Sequence, residues 1–352
     1  MQLAWSQAAL LFFISLLLVG SLTPFIRVVA IRLDVVDRPS EGHKTHSTPV
    51  PYLGGLAIVI GVVVTTLGAI ALSGNLQLLG LASTVLLPAI VMGVVGLIDD
   101  IKRLSPWPRF VAQNTVGFVI ATVLVYTNTL GSPIGNQVID VLITVFWIVG
   151  ITNSINFFDN VDGGASGTVA IASLALFFLA FQGGQFVIAA LSIVLSGSTA
   201  GFLIWNNAPA RIYMGDAGAL FLGVLIASLT LRFNPNPIDK FSSFTIPILL
   251  LAVPILDTSV AVLSRLKRRI SPFQGGQDHL SHRLMKTFLP KRQAVILLWL
   301  MTVFFCSIAI LISNLPFIFE RTLSVLSLAL WAICLFIFLK MQFVADLNDS
   351  KN

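Results

Sequence analysis

Six of the fifteen acidic residues stand beside strongly hydrophobic segments, in clusters far apart along the chain: Asp99, Asp100, Asp159, Asp162, Asp216 and Asp278. An ionisable side chain near a bilayer is costly, so it is rare unless it has a partner or a function. Carboxylates that met at one membrane face would repel one another unless cations shared the space. A divalent metal ion with a phosphorylated substrate would neutralise them. The pattern therefore predicts phosphate chemistry at a membrane surface.

The composition requires a membrane protein to position these clusters. The chain is 56% hydrophobic and only 10% charged, with a mean hydropathy of +0.94, which excludes an ordinary soluble domain. Apolar stretches near the roughly 20 residues that cross a bilayer recur along its length, and spans of this length can only be helices. The prediction is an all-α polytopic membrane protein, a single domain over residues 1–352. Eleven transmembrane helices are expected at about 5–26, 53–73, 79–98, 109–127, 138–155, 165–182, 185–205, 217–232, 243–264, 293–315 and 321–341.

The basic residues predict the orientation. Most Lys and Arg fall in alternate loops, above all in the long loop over about 265–292. Because cytosolic loops carry this excess, the N-terminus is predicted outside, the C-terminus in the cytosol, and the acidic clusters on the cytosolic face. No positive charge precedes the first apolar run, so residues 1–26 are interpreted as a retained helix. A net charge of +6, mostly on one face, suits anionic lipid and phosphate rather than nucleic acid.

Asp99 and Asp100 end the third predicted helix. Neighbouring residues on a helix point about 100° apart, so the two carboxylates are expected to serve different partners, one a metal ion and the other a substrate phosphate. The alternative is a solvated helix end in which the acids pair with Lys102 and Arg103. The pair alone does not decide between these interpretations.

The second cluster lies between Asn153 and Gly164, where polar side chains recur every three residues. Nine residues of helix would place Asn153 and Asp162 on opposite sides, so the helix is expected to end near Asp159, with Asp162 in the glycine-rich turn beyond. Such an end offers carboxylates and amide oxygens, including Asn156, that magnesium accepts. A capping turn is the alternative, although one Asn and one Asp would suffice for it.

Asp216 lies among Gly215, Ala217 and Gly218, just before a hydrophobic span. The small neighbours would let a metal-bound diphosphate approach closely. Asp at the start of a helix is also a favoured N-cap, and for this motif alone the cap is the simpler interpretation. The other acidic clusters favour the metal site.

The long basic loop over 265–292 is predicted to contain a short amphipathic helix that starts near Asp278. One face would hold the cations, and another would hold an apolar stripe of Leu280, Leu284 and Phe288. The helix is expected to lie on the membrane surface and to present cations toward the site, namely His279, His282, Arg283 and Lys286. Binding of anionic lipid headgroups is the alternative. With no Cys nearby, a zinc site is not favoured.

Two further features are weaker. Lys44 and His46 in the first loop could contact a phosphate, although ordinary positive-inside charge explains them slightly better. Asp257 lies within the ninth predicted span, where a buried carboxylate suggests a function. It is expected to support the site, with Arg265 on the same helical face, rather than to act directly.

Together these segments resemble the polyprenyl-phosphate N-acetylhexosamine-1-phosphate transferase superfamily, glycosyltransferase family 4. The matching pieces occur in the family's order: His43-Lys44 followed by Pro49 to Gly55, the pair Asp99-Asp100, Asn153 to Gly163, Ala210 to Gly218, and His279 to Leu284. Eleven spans and the segment His279-Leu280-Ser281-His282-Arg283-Leu284 are closer to the UDP-GlcNAc:undecaprenyl-phosphate branch than to the phospho-N-acetylmuramoyl-pentapeptide branch. Ser281 stands where many relatives have another histidine. No role is assigned to Ser281 or to Arg109.

The resemblance implies transfer of a sugar-1-phosphate, GlcNAc-1-phosphate in the favoured branch, from a UDP-sugar to undecaprenyl or another polyprenyl phosphate, with release of UMP. Implied catalytic residues are Asp99, Asp100, Asp159 and Asp162. Asp216, Asp159 and Asp100 would bind Mg²⁺, for which Mn²⁺ could substitute. Substrate contacts would come from Lys44, Asn156, His279, His282 and Arg283. The location would be the bacterial plasma membrane, and relatives suggest a homodimer.

Other function classes fit less well. A secondary transporter usually places its ionisable groups near the bilayer midplane, whereas here nearly all acids and all four histidines crowd one predicted face. A scaffolding protein would not need several polar clusters that converge. A related enzyme with another UDP-N-acetylhexosamine specificity, such as phospho-N-acetylmuramoyl-pentapeptide transferase, remains the main alternative.

Overall fold

Long apolar helices run through the whole chain, as predicted. The computed structural model describes residues 3–37, 49–235, 239–271, 276–287 and 289–349. Within these ranges the helices are α1 (Trp5–Arg32), α2 (Gly54–Ser73), α3 (Gln77–Lys102), α4 (Pro106–Tyr126), α5 (Gln137–Phe158), α6 (Gly164–Gln182), α7 (Phe186–Asn206), α8 (Gly215–Arg232), α9 (Lys240–Leu250), α10 (Ala252–Lys267), α11 (Leu280–Thr287), α12 (Lys291–Ile312) and α13 (Phe317–Asp349). Strands β1 (Val36–Asp37) and β2 (Val50–Pro51) form a small antiparallel ribbon.

The fold class is confirmed, with one change in the expected spans. Ten helices in the described ranges are long and apolar enough to cross a membrane, or eleven if α9 and α10 count as one. The span predicted over 243–264 consists of two helices, α9 and α10, whose axes differ by 77°. Pro254 has no N–H to donate to the carbonyl of Leu250. Instead the thiol of Cys306 lies 3.7 Å from that carbonyl oxygen.

The helix directions alternate, so distant parts of the sequence meet at one end of the bundle. Asp99 and Asp100 lie at the end of α3, Asp159 directly follows α5, and Asp216 lies at the start of α8. All four line one cleft. With α9 and α10 counted as one crossing, the chain starts at the opposite end from this cleft and finishes on the cleft side. The orientation relative to inside and outside stays a prediction.

Helix α8 is the centre of the bundle. Of its residues, 83% are buried, mainly between α3, α5 and α2. Small residues let these helices touch backbone to backbone. A Cβ added at Gly55 of α2 would lie 2.1 Å from the amide nitrogen of Gly218, and one at Gly96 of α3 would lie 2.2 Å from the carbonyl oxygen of Asp216. The packing of α3 therefore sets the position of Asp216.

Gly96→Ala is expected to destabilise the protein and to disturb the start of α8. The new methyl group has no room beside the Asp216 backbone, and overpacking of this kind costs about 1–3 kcal/mol. Gly80 lies in the same helix with no atom within 4 Å of an added Cβ, so Gly80→Ala is the matched control. The melting temperature in detergent should fall by several degrees for Gly96→Ala and should not fall for Gly80→Ala. An equal response of both variants would contradict the packing described here.

Candidate active site

A cleft of about 1030 Å³ opens at the end of the bundle where the acidic clusters meet. Its walls come from the ends of α3 and α5, the starts of α8 and α12, the β1–β2 ribbon and α11. Among the predicted site residues, the cleft is lined by Asp99, Asp100, Asn156, Asp159, Asp162, Asp216 and His282. The convergence of these residues on one surface is what the sequence predicted. Lys44 lies outside the described residues.

Asp100 joins α3 to α8. One of its carboxylate oxygens accepts the backbone N–H of Asp216 at 2.8 Å, and the other accepts that of Ala217 at 3.0 Å. The first backbone N–H groups of a helix have no partner within the helix, and a carboxylate also interacts favourably with the helix dipole there. The sequence suggested that Asp216 could cap helix α8. In the structure Asp100 provides this cap. Asp216 itself is a residue of the first turn, and its side chain is available for other contacts.

Arg109 lies between two of the acids. Its Nη1 atom is 2.7 Å from Oδ2 of Asp99 and 2.6 Å from Oδ2 of Asp216. The other oxygen of Asp99 accepts the backbone N–H of Leu104 at 2.6 Å. Asn156 donates to Oδ1 of Asp216 at 2.6 Å. Arg109 thus neutralises part of the negative charge and aligns Asp216 with Asn156, a role that the sequence did not reveal.

The second cluster ends its helix where predicted. Asp159 is the C-cap of α5, and Gly163 has a φ of 74°, a left-handed conformation that glycine adopts readily. In the described part of the chain, the carboxylate of Asp159 has no hydrogen-bond or ion-pair partner. Burial, together with the negative charges of Asp216, Asp100 and Asp162, holds its pKa well above the usual range. The Asp159 carboxylate is thus poised to accept a cation or a hydrogen-bond donor.

Asp162 is held differently from Asp159. Its Oδ2 atom is 2.8 Å from the ammonium nitrogen of Lys291 and accepts the backbone N–H of Ala210 at 3.0 Å. These contacts tie the α5–α6 turn to the start of α12 and to the loop before α8. The structure therefore gives Asp162 a positioning role at the cleft wall.

Two tyrosines cover the cleft on the side of the ribbon. Tyr52 follows β2, Tyr213 precedes α8, and their ring centres are 5.9 Å apart. The backbones of the two segments are joined by hydrogen bonds, as when Gly54 donates to the carbonyl of Tyr213 at 3.0 Å. Burial and then the charge and hydrogen bond of Asp37 raise the pKa of Tyr52. Burial is also the main cause that raises the pKa of Tyr213. Both phenols stay protonated, and the Tyr52 hydroxyl, which donates to Asp37, would have to turn from this acid to bind an anion.

His279 is nearly buried beside the cleft and is paired with Asp257. Its Nδ1 atom lies 2.7 Å from Oδ2 of Asp257, and the other Asp257 oxygen accepts the backbone N–H of Leu280 at 2.7 Å. Nε2 of His279 lies 3.5 Å from Nη2 of Arg265. A carboxylate accepts and a guanidinium donates, so the partners place the His279 proton on Nδ1. Asp257 thus fixes both the position and the tautomer of this imidazole.

The remaining part of the basic loop differs from the prediction. Helix α11 does not project from the bundle but contacts α12 and α13, and Leu280, Ser281, Arg283 and Leu284 are buried. Arg283 donates to the carbonyl of Phe338 at 2.6 Å and to the hydroxyl of Ser264 at 2.6 Å. Its guanidinium therefore fixes α11 in place and does not line the cleft.

His282 does line the cleft, but it is not a cation at neutral pH. Burial is the main cause that lowers its pKa, to about 4. The expected row of cations on α11 is therefore wrong for His282 and Arg283. The neutral imidazole of His282 can still donate or accept a single hydrogen bond.

Several residues at the site had no clear signal in the sequence. Arg109, Tyr52, Tyr213 and Lys291 lie at helix ends or in loops, where basic and aromatic residues are common near a membrane surface. A charge-balance argument could have identified Arg109, since the five predicted site acids that share a cleft need a cation among them. Neither the spacing nor the local pattern links Arg109 to Asp216, which is 107 residues away.

The donor set suits magnesium. Mg²⁺ takes oxygen ligands and keeps several waters, so proteins usually hold it with one or two carboxylates and the substrate's phosphates. Asp159, with no partner in the described residues, and the adjacent Asp216 and Asn156 supply such oxygens. Within the described ranges, no three His, Cys, Asp or Glu side chains already converge as a closed cage. The arrangement is that of an open site which a substrate would complete.

Known proteins resemble this chain over most of its length. The family model for glycosyl transferase family 4 matches residues 81–234, the part that contains most of the cleft acids. A probable undecaprenyl-phosphate N-acetylglucosaminyl 1-phosphate transferase of Bacillus subtilis is 35% identical over 313 residues, which cover 86% of this chain and 84% of the relative. A decaprenyl-phosphate N-acetylglucosaminephosphotransferase of Mycolicibacterium smegmatis is 33% identical over 310 residues, which cover 79% of this chain and 75% of the relative.

A third kind of relative matches over a shorter range. A phospho-N-acetylmuramoyl-pentapeptide-transferase of Streptococcus thermophilus is 32% identical over 172 residues, which cover 45% of this chain and 51% of the relative.

The fold and cleft define a multi-pass membrane protein with an acidic site at one end of its bundle. This chain belongs to glycosyl transferase family 4.

Proposed function

We propose that the protein transfers N-acetylglucosamine-1-phosphate from UDP-GlcNAc to undecaprenyl phosphate, releasing UMP and forming a lipid diphosphate-linked sugar for cell-envelope glycan synthesis. The observation that supports this most is that four acids line one cleft, namely Asp99, Asp100, Asp159 and Asp216. Among the described residues, the carboxylate of Asp159 has no hydrogen-bond or ion-pair partner and is therefore available to a ligand. The two long relatives are both named for the transfer of this sugar phosphate to a polyprenyl phosphate. The cleft would face the cytosol, where UDP-sugars are made, in the bacterial plasma membrane.

Each side chain has a distinct part in the proposed reaction. An oxygen of the lipid phosphate attacks the β-phosphorus of UDP-GlcNAc, and the bond to the UMP oxygen breaks. Asp100 fixes the start of α8, and with it Asp216. Arg109, between Asp99 and Asp216, is positioned to turn toward a phosphate, and the protonated Tyr52 and Tyr213 can donate to its oxygens. Transfer of a phosphoryl group depends mainly on such positioning and charge neutralisation.

Asp99 and Asp159 need not be strong bases in this scheme. A phosphate monoester is already mostly doubly ionised at pH 7, since its second pKa is about 6. Asp99 is therefore proposed to position the acceptor phosphate, or to take its last proton, in a one-step attack.

Asp216, Asp159 and Asn156 are proposed to hold Mg²⁺, or Mn²⁺ in its place. When bound, the ion would neutralise the diphosphate and stabilise the charge that develops on the leaving UMP. Asp100 is a weaker candidate ligand because both of its oxygens already accept backbone N–H groups. A homodimer stays a prediction.

A UMP-release assay tests the function. Purified protein with Mg²⁺, undecaprenyl phosphate and UDP-GlcNAc is expected to release UMP and to form a lipid-linked GlcNAc phosphate. A panel with UDP-GalNAc and UDP-N-acetylmuramoyl-pentapeptide separates the favoured specificity from its alternative. Faster turnover of the pentapeptide substrate would replace the proposed specificity. No UMP from any UDP-N-acetylhexosamine would contradict the transferase.

A further inference from the structure

A second large cavity lies at the end of the bundle opposite the cleft. Helix α8, from Gly215 beside Asp216 to Arg232, is 18 residues long, which corresponds to about 27 Å at 1.5 Å per residue. The hydrocarbon core of a bilayer is about 30 Å thick. The cavity has a volume of about 560 Å³ and lies among the ends of α1, α2, α3, α7 and α8. The cleft and this cavity are therefore about one membrane thickness apart.

The cavity has a polar mouth and an apolar interior. Asn75, Thr129 and Gln185 come from the connections at the end of the bundle. Val85 of α3 and Val194 of α7 lie eight residues inside their helices, which corresponds to a depth of about 12 Å. The rest of the lining is mainly aliphatic and includes Leu3, Leu11, Ile70, Leu78, Leu81 and Leu191. This distribution suits a molecule with one polar end and a hydrocarbon chain.

Arg232 gives the polar end its charge. The guanidinium of Arg232 is half-buried and donates from Nη2 to the hydroxyl of Thr84 at 2.7 Å. Among the described residues, no carboxylate lies within ion-pair distance of it. Nearby acids on this side are engaged elsewhere, since Asp140 accepts two backbone N–H groups and Asp239 caps α9. Guanidinium is always protonated and presents a fork of donors that matches phosphate oxygens.

Anchoring at the membrane surface does not explain this arginine. A snorkelling Arg reaches from a lipid-facing helix to the headgroups. Helix α8 is instead 83% buried, whereas the spanning part of the lipid-facing α13 is only 17% buried. Arg232 therefore emerges from the core of the bundle and lines an internal apolar cavity. A half-buried cation that pairs with no carboxylate of the described residues favours an anionic ligand.

We propose that this cavity binds one anionic phospholipid from the membrane leaflet at that end of the bundle. The headgroup phosphate would lie against Arg232, and part of an acyl chain would occupy the aliphatic interior. The site takes no part in the proposed transfer reaction, because it is a membrane thickness from the cleft. It would instead fill a gap between five helices and so stabilise the bundle.

Native mass spectrometry of the full chain tests this site. The protein is equilibrated with vesicles of phosphatidylcholine and phosphatidylglycerol, extracted in detergent, and its retained lipids are counted. One phosphatidylglycerol is expected to stay bound to the natural protein. Arg232→Gln should reduce its retention at least about fivefold. Lys240→Gln removes an exposed cation from the start of α9, at the same end of the bundle, and should leave retention unchanged.

A second variant keeps the charge but fills the space. Ala69→Phe places a large side chain in the lining and should also reduce retention, which keeps the test valid if Arg232→Gln folds poorly. UMP release in detergent should change less than about twofold in both variants, so failure of the lipid site and failure of the transferase are separable. Equal retention of phosphatidylglycerol by the natural protein and the variants would overturn the proposal. Retention of phosphatidylcholine equal to that of phosphatidylglycerol would also overturn it. When oleate is added to the vesicles, displacement of the bound phospholipid by oleate would overturn it as well.

Discussion

Asp216→Asn is expected to reduce UMP release by on the order of 10²–10³-fold, the range seen when a group that stabilises charge in the transition state is removed. The amide keeps the shape of the side chain and can still contact Asn156. It loses the negative charge that attracts a metal ion and that pairs with Arg109 at 2.6 Å. The cap of α8 is unaffected, because Asp100 provides it. The loss should therefore appear in kcat while the melting temperature changes little.

The control for this variant is Asp239→Asn. Asp239 is the N-cap of α9 at the far end of the bundle, and Asn is an equally good N-cap. Its activity and melting temperature should both stay close to those of the natural protein. Near-normal activity of Asp216→Asn would show that Asp216 is not part of the reaction site.

Asp257→Asn is the second variant for which a large effect is expected. It should lower both the stability of the protein and its turnover. Asp257 is fully buried and accepts from two donors, Nδ1 of His279 and the amide of Leu280. An Asn oxygen can satisfy one donor, but the NH₂ group then faces the other. An unsatisfied buried donor costs about 1–3 kcal/mol. The melting temperature should fall, and His279 should lose the tautomer and position that its partners set.

A double-mutant cycle separates positioning from general damage. If Asp257 acts through His279, then kcat/KM of Asp257→Asn, of His279→Gln and of the double variant should be similarly low, because the second change removes nothing further. Coupled residues of this kind show interaction energies of about 0.5–3 kcal/mol. If the losses in kcat/KM of the two single variants multiply in the double variant, the two residues act independently. A pH profile of kcat/KM that is the same in Asp257→Asn as in the natural protein would contradict the claim that Asp257 positions the His279 imidazole.

The sequence was informative where the signal is local. The helix that ends at Asp159, the turn at Gly163 and the spans themselves follow from hydropathy and helix-end chemistry within a few residues. The convergence of the acids followed from a physical argument about charge near a bilayer. The helix ends and the spans were predicted correctly because each depends on neighbours in the chain.

The partners of the site residues could not be predicted in the same way. Asp100 contacts Asp216 across 116 residues, and no local pattern distinguishes a residue that caps a distant helix from one that binds metal. The periodicity of α11 suggested a surface helix with exposed cations. Helical periodicity identifies the faces of a helix but not their surroundings, and here Arg283 faces the interior and binds the carbonyl of Phe338. The bend at Leu251 depends on Pro254 together with compensation from α12.

Electron paramagnetic resonance of bound Mn²⁺ tests the central claim most directly, namely that carboxylates from α5 and α8 hold one metal ion against the substrate's diphosphate. With UDP-GlcNAc present, the natural protein is expected to bind a single Mn²⁺ that shows hyperfine coupling to ³¹P. That signal should disappear in both Asp159→Asn and Asp216→Asn while Asp239→Asn retains it. Phosphorus-coupled Mn²⁺ bound equally well by both site variants would contradict the account.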